Sequence, residues 1–149
     1  MTPGRRPLRY ESIDEIMPDV DRLLDGYTTV GKWSIGQMSR HLATIIRLSV
    51  DLPANPGQDP SKYLSPDQKR DFLENGVTPE GRPMPPGMEV PDSLDDREEA
   101  EGLRQAISHY QGSPDTVMDH PGLGPLTRAE WDRFHCHHCS HHFSFAVPC

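Results

Sequence analysis

The sequence predicts an all-α fold, and three observations carry that prediction. Three times a Ser or Thr is followed three residues later by Glu or Gln at the head of an apolar run, at Ser12/Glu15, Ser34/Gln37 and Thr127/Glu130; this is the pattern of a helix capping box. Within those runs the apolar residues recur every three or four positions. The 16 prolines and 12 glycines imply long irregular connections between the helices. At 149 residues one domain spanning 1–149 suffices, and a hydrophobic content of 34% implies a compact core with extensive loops.

Residues 1–11 are basic and lack helical period, so they read as a tail or a strap over the bundle. The first helix starts at Ser12 and carries Ile13, Ile16, Val20, Leu23 and Leu24 until Gly26. Pro18 removes an amide donor from its middle, so the helix must kink there or restart with Pro18 in its first turn. The second helix opens with Trp33 and Met38 as a hydrophobic staple and Ser34 and Gln37 as the capping box. It runs through Met38, His41, Leu42, Ile45, Ile46 and Leu48 to about Asp51, because Pro53 follows.

Residues 55–61 form a turn-rich loop. Ser65-Pro66-Asp67-Gln68 then spells the start of a short extra helix with proline at its first position, ending near Asn75 before Gly76. From Thr78 to Pro91 five prolines and two glycines preclude regular structure. That segment reads equally as a lid over one end of the bundle and as a solvated spacer. The next helix begins near Ser93 or Asp95, places Ala100, Leu103, Ile107 and Tyr110 on one face, and ends at Gly112, Ser113 and Pro114; its acidic first turns suit the helix dipole. A glycine- and proline-rich turn, Asp119 to Pro125, delivers the chain into the last helix.

That helix, capped by Thr127, dominates the functional reading, because Thr127 to Cys149 holds five of the eight histidines. At roughly 100° per residue, Trp131, Phe134 and Phe145 fall on the buried side. The i,i+4 pair His138/His142 is centred roughly 35° from that direction, and the pair His137/His141 roughly twice as far off, toward solvent. Residues four apart on a helix stand close enough for both imidazoles to bind one cation. A third ligand must come from another helix, and His41 is the natural one: it lies on the Met38, Ile45, Leu48 face, where an unpartnered imidazole would be costly.

Three neutral imidazoles suit a divalent transition metal, Zn²⁺, Ni²⁺, Fe²⁺ or Cu²⁺, and three protein ligands leave a position for water or substrate, as a catalytic site requires. His135, three before His138, is a candidate fourth ligand or hydrogen-bond donor. His120 reads as a turn histidine, with hydrogen bonding to the site or to substrate as the alternative. His137, His141 and His109 read as solvent-facing, and Gln37 as a capping residue. Cys136 and Cys139 form a C-x2-C with no second pair to complete a zinc knuckle. They point roughly 110° away from His138/His142, which favours fortuitous surface capture of a metal or no role.

The chain's Trp33-Ser34-Ile35-Gly36-Gln37-Met38, His41-Leu42, and His120-Pro121-Gly122-Leu123-Gly124-Pro125-Leu126-Thr127 running into Trp131 and the histidines resemble the DinB/YfiT-like superfamily over nearly the whole length. More narrowly, they resemble a bacterial branch of unknown function. The resemblance implies a four-helix bundle of up-down-down-up type with a divalent metal held by three histidines, which fall on His41, His138 and His142. Characterised relatives are metal-dependent enzymes, including thiol-dependent transferases and isomerases, and many are dimers. Two departures stand out: Phe145 replaces a glutamine common in relatives, and Cys136 and Cys139 sit among the histidines.

A formal net charge of −8, with acids clustered from Glu89 to Glu101, disfavours nucleic acid and anionic membranes as partners. No stretch has the length of a transmembrane span, Arg5-Arg6 is not followed by an apolar signal core, and three cysteines do not make a disulfide framework, so a cytoplasmic protein is expected. The expected function is a metal-dependent enzyme, a hydrolase or thiol S-transferase, acting on a small-molecule substrate, with apolar faces on the first helix and on the helix that begins near Ser93 or Asp95 available for a homodimer. A non-catalytic metal- or ligand-binding bundle is the alternative, and no general base is identifiable.

Overall fold

A computed structural model describes residues 3–51, 61, 63–76, 89–113, 119–120 and 123–149. Within them lie five α-helices, α1 (Ile16–Leu24), α2 (Ile35–Asp51), α3 (Pro66–Asn75), α4 (Asp96–Gln111) and α5 (Arg128–Phe143), and two short strands, β1 (Tyr27–Thr29) and β2 (Ala146–Pro148). Most of the expected turn-rich loop and most of the Pro/Gly-rich segment from Thr78 to Pro91 lie outside the described residues.

The capping residues set the helix starts where the sequence places them. Ser34 Oγ accepts from Gln37 N while Ser34 N donates to Gln37 Oε1, at 3.2 and 3.0 Å. Thr127 and Glu130 exchange the same pair of bonds at 3.1 and 2.9 Å, and Ser65 and Gln68 do so ahead of Pro66. Asp95 caps α4 by accepting from Glu98 N. The difficulty at Pro18 is resolved by a restart: a 3-10 turn over Ile13–Glu15 precedes α1, which leaves Pro18 in the first helical turn, where no amide is required of it. The fold is mostly helical, as expected, with one addition and one correction. The fold carries a small sheet, β1 pairing antiparallel with β2 through Tyr27↔Pro148, Thr28↔Val147 and Thr29↔Ala146. Strands of three residues are too short for alternation to mark them. Phe145 also lies beyond α5, so it is not on the helix's buried face.

The core is a single cluster that includes Ile16, Val20 and Leu23 of α1, Met38, Leu42 and Ile46 of α2, Leu103 and Tyr110 of α4, and Trp131, Phe134 and Phe143 of α5. Packing of α2 along α4 is the most extensive, with α2 and α3 each touching α5. Where α2 and α4 begin, Asp96 accepts from Gly36 N at 2.7 Å and from the Tyr27 hydroxyl at 2.8 Å, tying both helix starts to β1. The basic N-terminus is a strap. Arg6 pairs with Asp19 through two 3.0 Å bonds and donates to Phe143 O at the end of α5, and Tyr10 N donates to Ser140 Oγ. No helix among the described residues is long and apolar enough to cross a membrane.

Candidate metal centre

The strap, the capped start of α2 and the packing of α2 on α5 converge on one place, where His41 of α2 faces His138 and His142 of α5. The Nε2 atoms of His41 and His138 are 3.2 Å apart, as are those of His138 and His142. The three candidate ligand atoms all lie within 4.8 Å of one another. For nitrogens bound tetrahedrally at about 2.0–2.1 Å, the nitrogen–nitrogen edge is about 3.3 Å, so the spacing on either side of His138 is that of a coordination sphere. Hydrogen bonding accounts for it less well. One ring nitrogen donates a single proton or accepts along a single lone pair, so His138 Nε2 cannot make a full bond to both neighbours.

Protonation favours the same conclusion. Burial, with His141 adding to it, holds the His41 imidazole down to about 4. Burial and then the surrounding imidazoles push His138 well below the usual histidine range, and burial, His41, His141 and Arg5 do the same to His142. All three rings are therefore neutral near pH 7, the state in which an imidazole ligates. The Nδ1 atoms of His41 and His138 are buried without a hydrogen-bond partner among the described residues. If Nε2 is the lone-pair nitrogen, each leaves a buried N–H unsatisfied at roughly 1–3 kcal/mol, a cost that cation binding would offset. On donor type, spacing and charge state, the three residues fit a divalent transition metal.

Aromatic rings close the cluster. The Trp33 indole stacks on His142 with centroids 5.4 Å apart at 22° and lies 5.3 Å from His41. Phe134 stands 5.4 Å from His138. Arg5 of the strap donates to Ser144 Oγ, contacts His141 Nδ1 at 3.0 Å, and lies over the Phe145 ring. Neither Trp33 nor Arg5 was legible as part of the site. Trp33 reads as a staple because of its place before Ser34, and Arg5 sits more than 130 residues from its partners.

The remaining histidines have other work. His135 is buried and turns Nε2 toward Ser49 Oγ at 3.0 Å; because Ser49 gives its own proton to Ile46 O, His135 must be the donor, and it stands outside the cluster. Burial, with Arg128 and His120 nearby, holds its imidazole down to about 3. His120 accepts from Leu123 N within its own turn, as a turn histidine does. His109 is exposed and meets Asp51 at 2.6 Å. The solvent-facing assignment fails for His137, which is buried and meets Leu73 O at 2.8 Å, because α3 covers that side of α5. His141 is half-buried beneath Arg5.

Surface metal capture by the C-x2-C is also corrected. Cys136 and Cys139 are buried free thiols. Burial pushes the Cys136 thiol up to about 12 and raises Cys139 further, so neither supplies a thiolate near neutral pH.

These features define a mostly helical protein with an interhelical three-histidine cluster able to hold a metal ion. The chain belongs to the DUF1569 family, described as a protein of unknown function, whose model matches residues 3–149. No curated protein and no solved structure matches it.

Proposed function

We propose that this protein is a divalent-metal-dependent enzyme of the DinB/YfiT-like type, in which His41, His138 and His142 hold the cation and a small-molecule substrate occupies the position they leave open. The observation that carries this reading is the pair of 3.2 Å Nε2 spacings on either side of His138. When bound, such a cation supplies Lewis acidity toward water or a substrate oxygen or sulfur.

The chain's own groups are suited to that task in three ways. The three imidazoles are neutral and need lose no proton to bind. None of them is hydrogen-bonded to a carboxylate among the described residues, so the full positive charge of the cation remains for an anionic or polarisable ligand. Trp33 and Phe134 shield the ligand rings from water, which strengthens electrostatic interactions within. Resemblance adds a thiol S-transferase as one reaction type and activation of water by the cation a hydrolase as the other, and three free cysteines suit a reducing, cytoplasmic compartment.

A structural role for the same cation is the competing reading. It is favoured by one observation, that the cluster joins α2 to α5 and would staple them. Elemental analysis of protein purified without a histidine tag is expected to give one transition-metal equivalent per chain, lost in His41→Ala and in His142→Ala. Metal retained in His41→Ala would put it on α5 alone and remove the reading. Azide added to the Co²⁺ form separates the two roles: a changed visible spectrum marks an exchangeable position, and an unchanged one a closed site.

A further inference from the structure

Histidines that bind metals nearly always donate their second ring nitrogen to a carboxylate, a carbonyl or a water, and that bond fixes the ring's rotation and raises its basicity. Here the Nδ1 atoms of His41 and His138 are buried with no carboxylate or carbonyl partner among the described residues. The second side-chain torsion of histidine is broad, so an imidazole without that bond is held only by what packs against its faces. What packs here is aromatic. Trp33 touches a ring on each helix, lying 5.3 Å from His41 at 54° and nearly parallel to His142 at 5.4 Å, while Phe134 lies 5.4 Å from His138 at 34°.

We propose that Trp33 is a positioning residue for the three-histidine site, its flat indole orienting His41 in place of the hydrogen bond that usually does so and, on its other contact, stacking against His142. The proposal rests on the reading of the cluster as a metal site. Trp33 can act as a fixed platform because the residue that follows it is anchored: Ser34 N donates to Gln37 Oε1, and Gln37 Nε2 in turn donates to Pro91 O. A ligand set oriented by stacking lacks the extra basicity that a carboxylate confers. Its hold on the cation then depends on the planarity of one side chain outside the coordination sphere, and the bland role, an apolar plug at the edge of the core, does not require planarity.

Planarity is therefore what the test varies. Trp33→Phe keeps a flat ring, and Trp33→Leu keeps apolar bulk without one. Each is titrated with Co²⁺ beside the wild type, reading the dissociation constant and the visible ligand-field spectrum, and each is melted without metal to register loss of packing alone. Trp33→Phe should stay near wild type, and Trp33→Leu should bind roughly tenfold or more weakly with an altered spectrum. The metal-free melting temperatures of the two variants should lie close together.

Wild-type affinity and spectrum in Trp33→Leu would overturn the positioning role while leaving the metal reading intact. Failure of the wild type itself to bind Co²⁺ would remove the metal reading and the proposal with it. Trp33→Met, also apolar and without a ring, takes the place of Trp33→Leu if that variant does not fold.

Discussion

His138 is the residue on which the cluster turns, because its Nε2 faces both other rings at 3.2 Å and its second nitrogen has no partner among the described residues. An imidazole so placed must stay neutral, and the same holds for the buried His41 and His135, held down to about 4 and about 3. In the unfolded chain each returns to about 6.5. Between that value and the folded one the unfolded state binds the extra proton, so stability is flat above about pH 6.5 and falls as the pH drops toward 4. At pH 5 the loss is on the order of 2 kcal/mol for each of His41 and His135. The urea midpoint of metal-free protein should accordingly be clearly lower at pH 5 than at pH 7.5; equal midpoints would mean that these rings are not buried as described. Residue type and spacing made the triad legible. The environment of the remaining histidines was not legible, because burial of His137 depends on a helix more than 60 residues earlier in the chain.

At the scale of elements, capping chemistry was the most readable feature. Ser34/Gln37, Ser65/Gln68 and Thr127/Glu130 each satisfy the free amides of a first turn locally, without help from tertiary structure. Helix ends and docking were less readable. The 3.6-residue period extended past Phe143 makes Phe145 look helical, yet the chain there leaves α5 and enters β2, where pairing with β1 supplies the backbone bonds. Docking of α3 on α5 turns on Gly76, which ends α3 in the left-handed region at φ 68°. A Cβ added there would fall far inside contact distance of His137 Nδ1. Gly76→Ala therefore meets both backbone strain and a clash with the ring that bonds to Leu73 O. It should destabilise the protein by about 2 kcal/mol or more. In a domain of this size the melting temperature should fall by roughly 4 °C or more, and a shift under about 1 °C would show that α3 does not dock in this way.

At the scale of the whole molecule, the strap and the cluster bind the two ends of the chain to its middle. Arg6 pairs with Asp19 of α1 and with Phe143 O, and Arg5 covers His141, so the first residues close over the end of the helix that carries His138 and His142. Burial works against ionisation of Asp19, yet bonds from Arg6 and Tyr10 hold its carboxyl below the usual range, which keeps this anchor charged. From their basic composition and lack of helical period, residues 1–11 read as either a tail or a strap. The sequence could not say that the strap's arginines would reach the histidine helix, since no local signal links positions so far apart. The central claim is that one cation bridges α2 and α5, and calorimetric titration of metal-free protein with Zn²⁺, in wild type, His41→Ala and His138→Ala, tests it most directly. One equivalent bound by the wild type, with affinity lost in both variants, is the result this account predicts. Wild-type binding in His41→Ala, or none in the wild type, would contradict it.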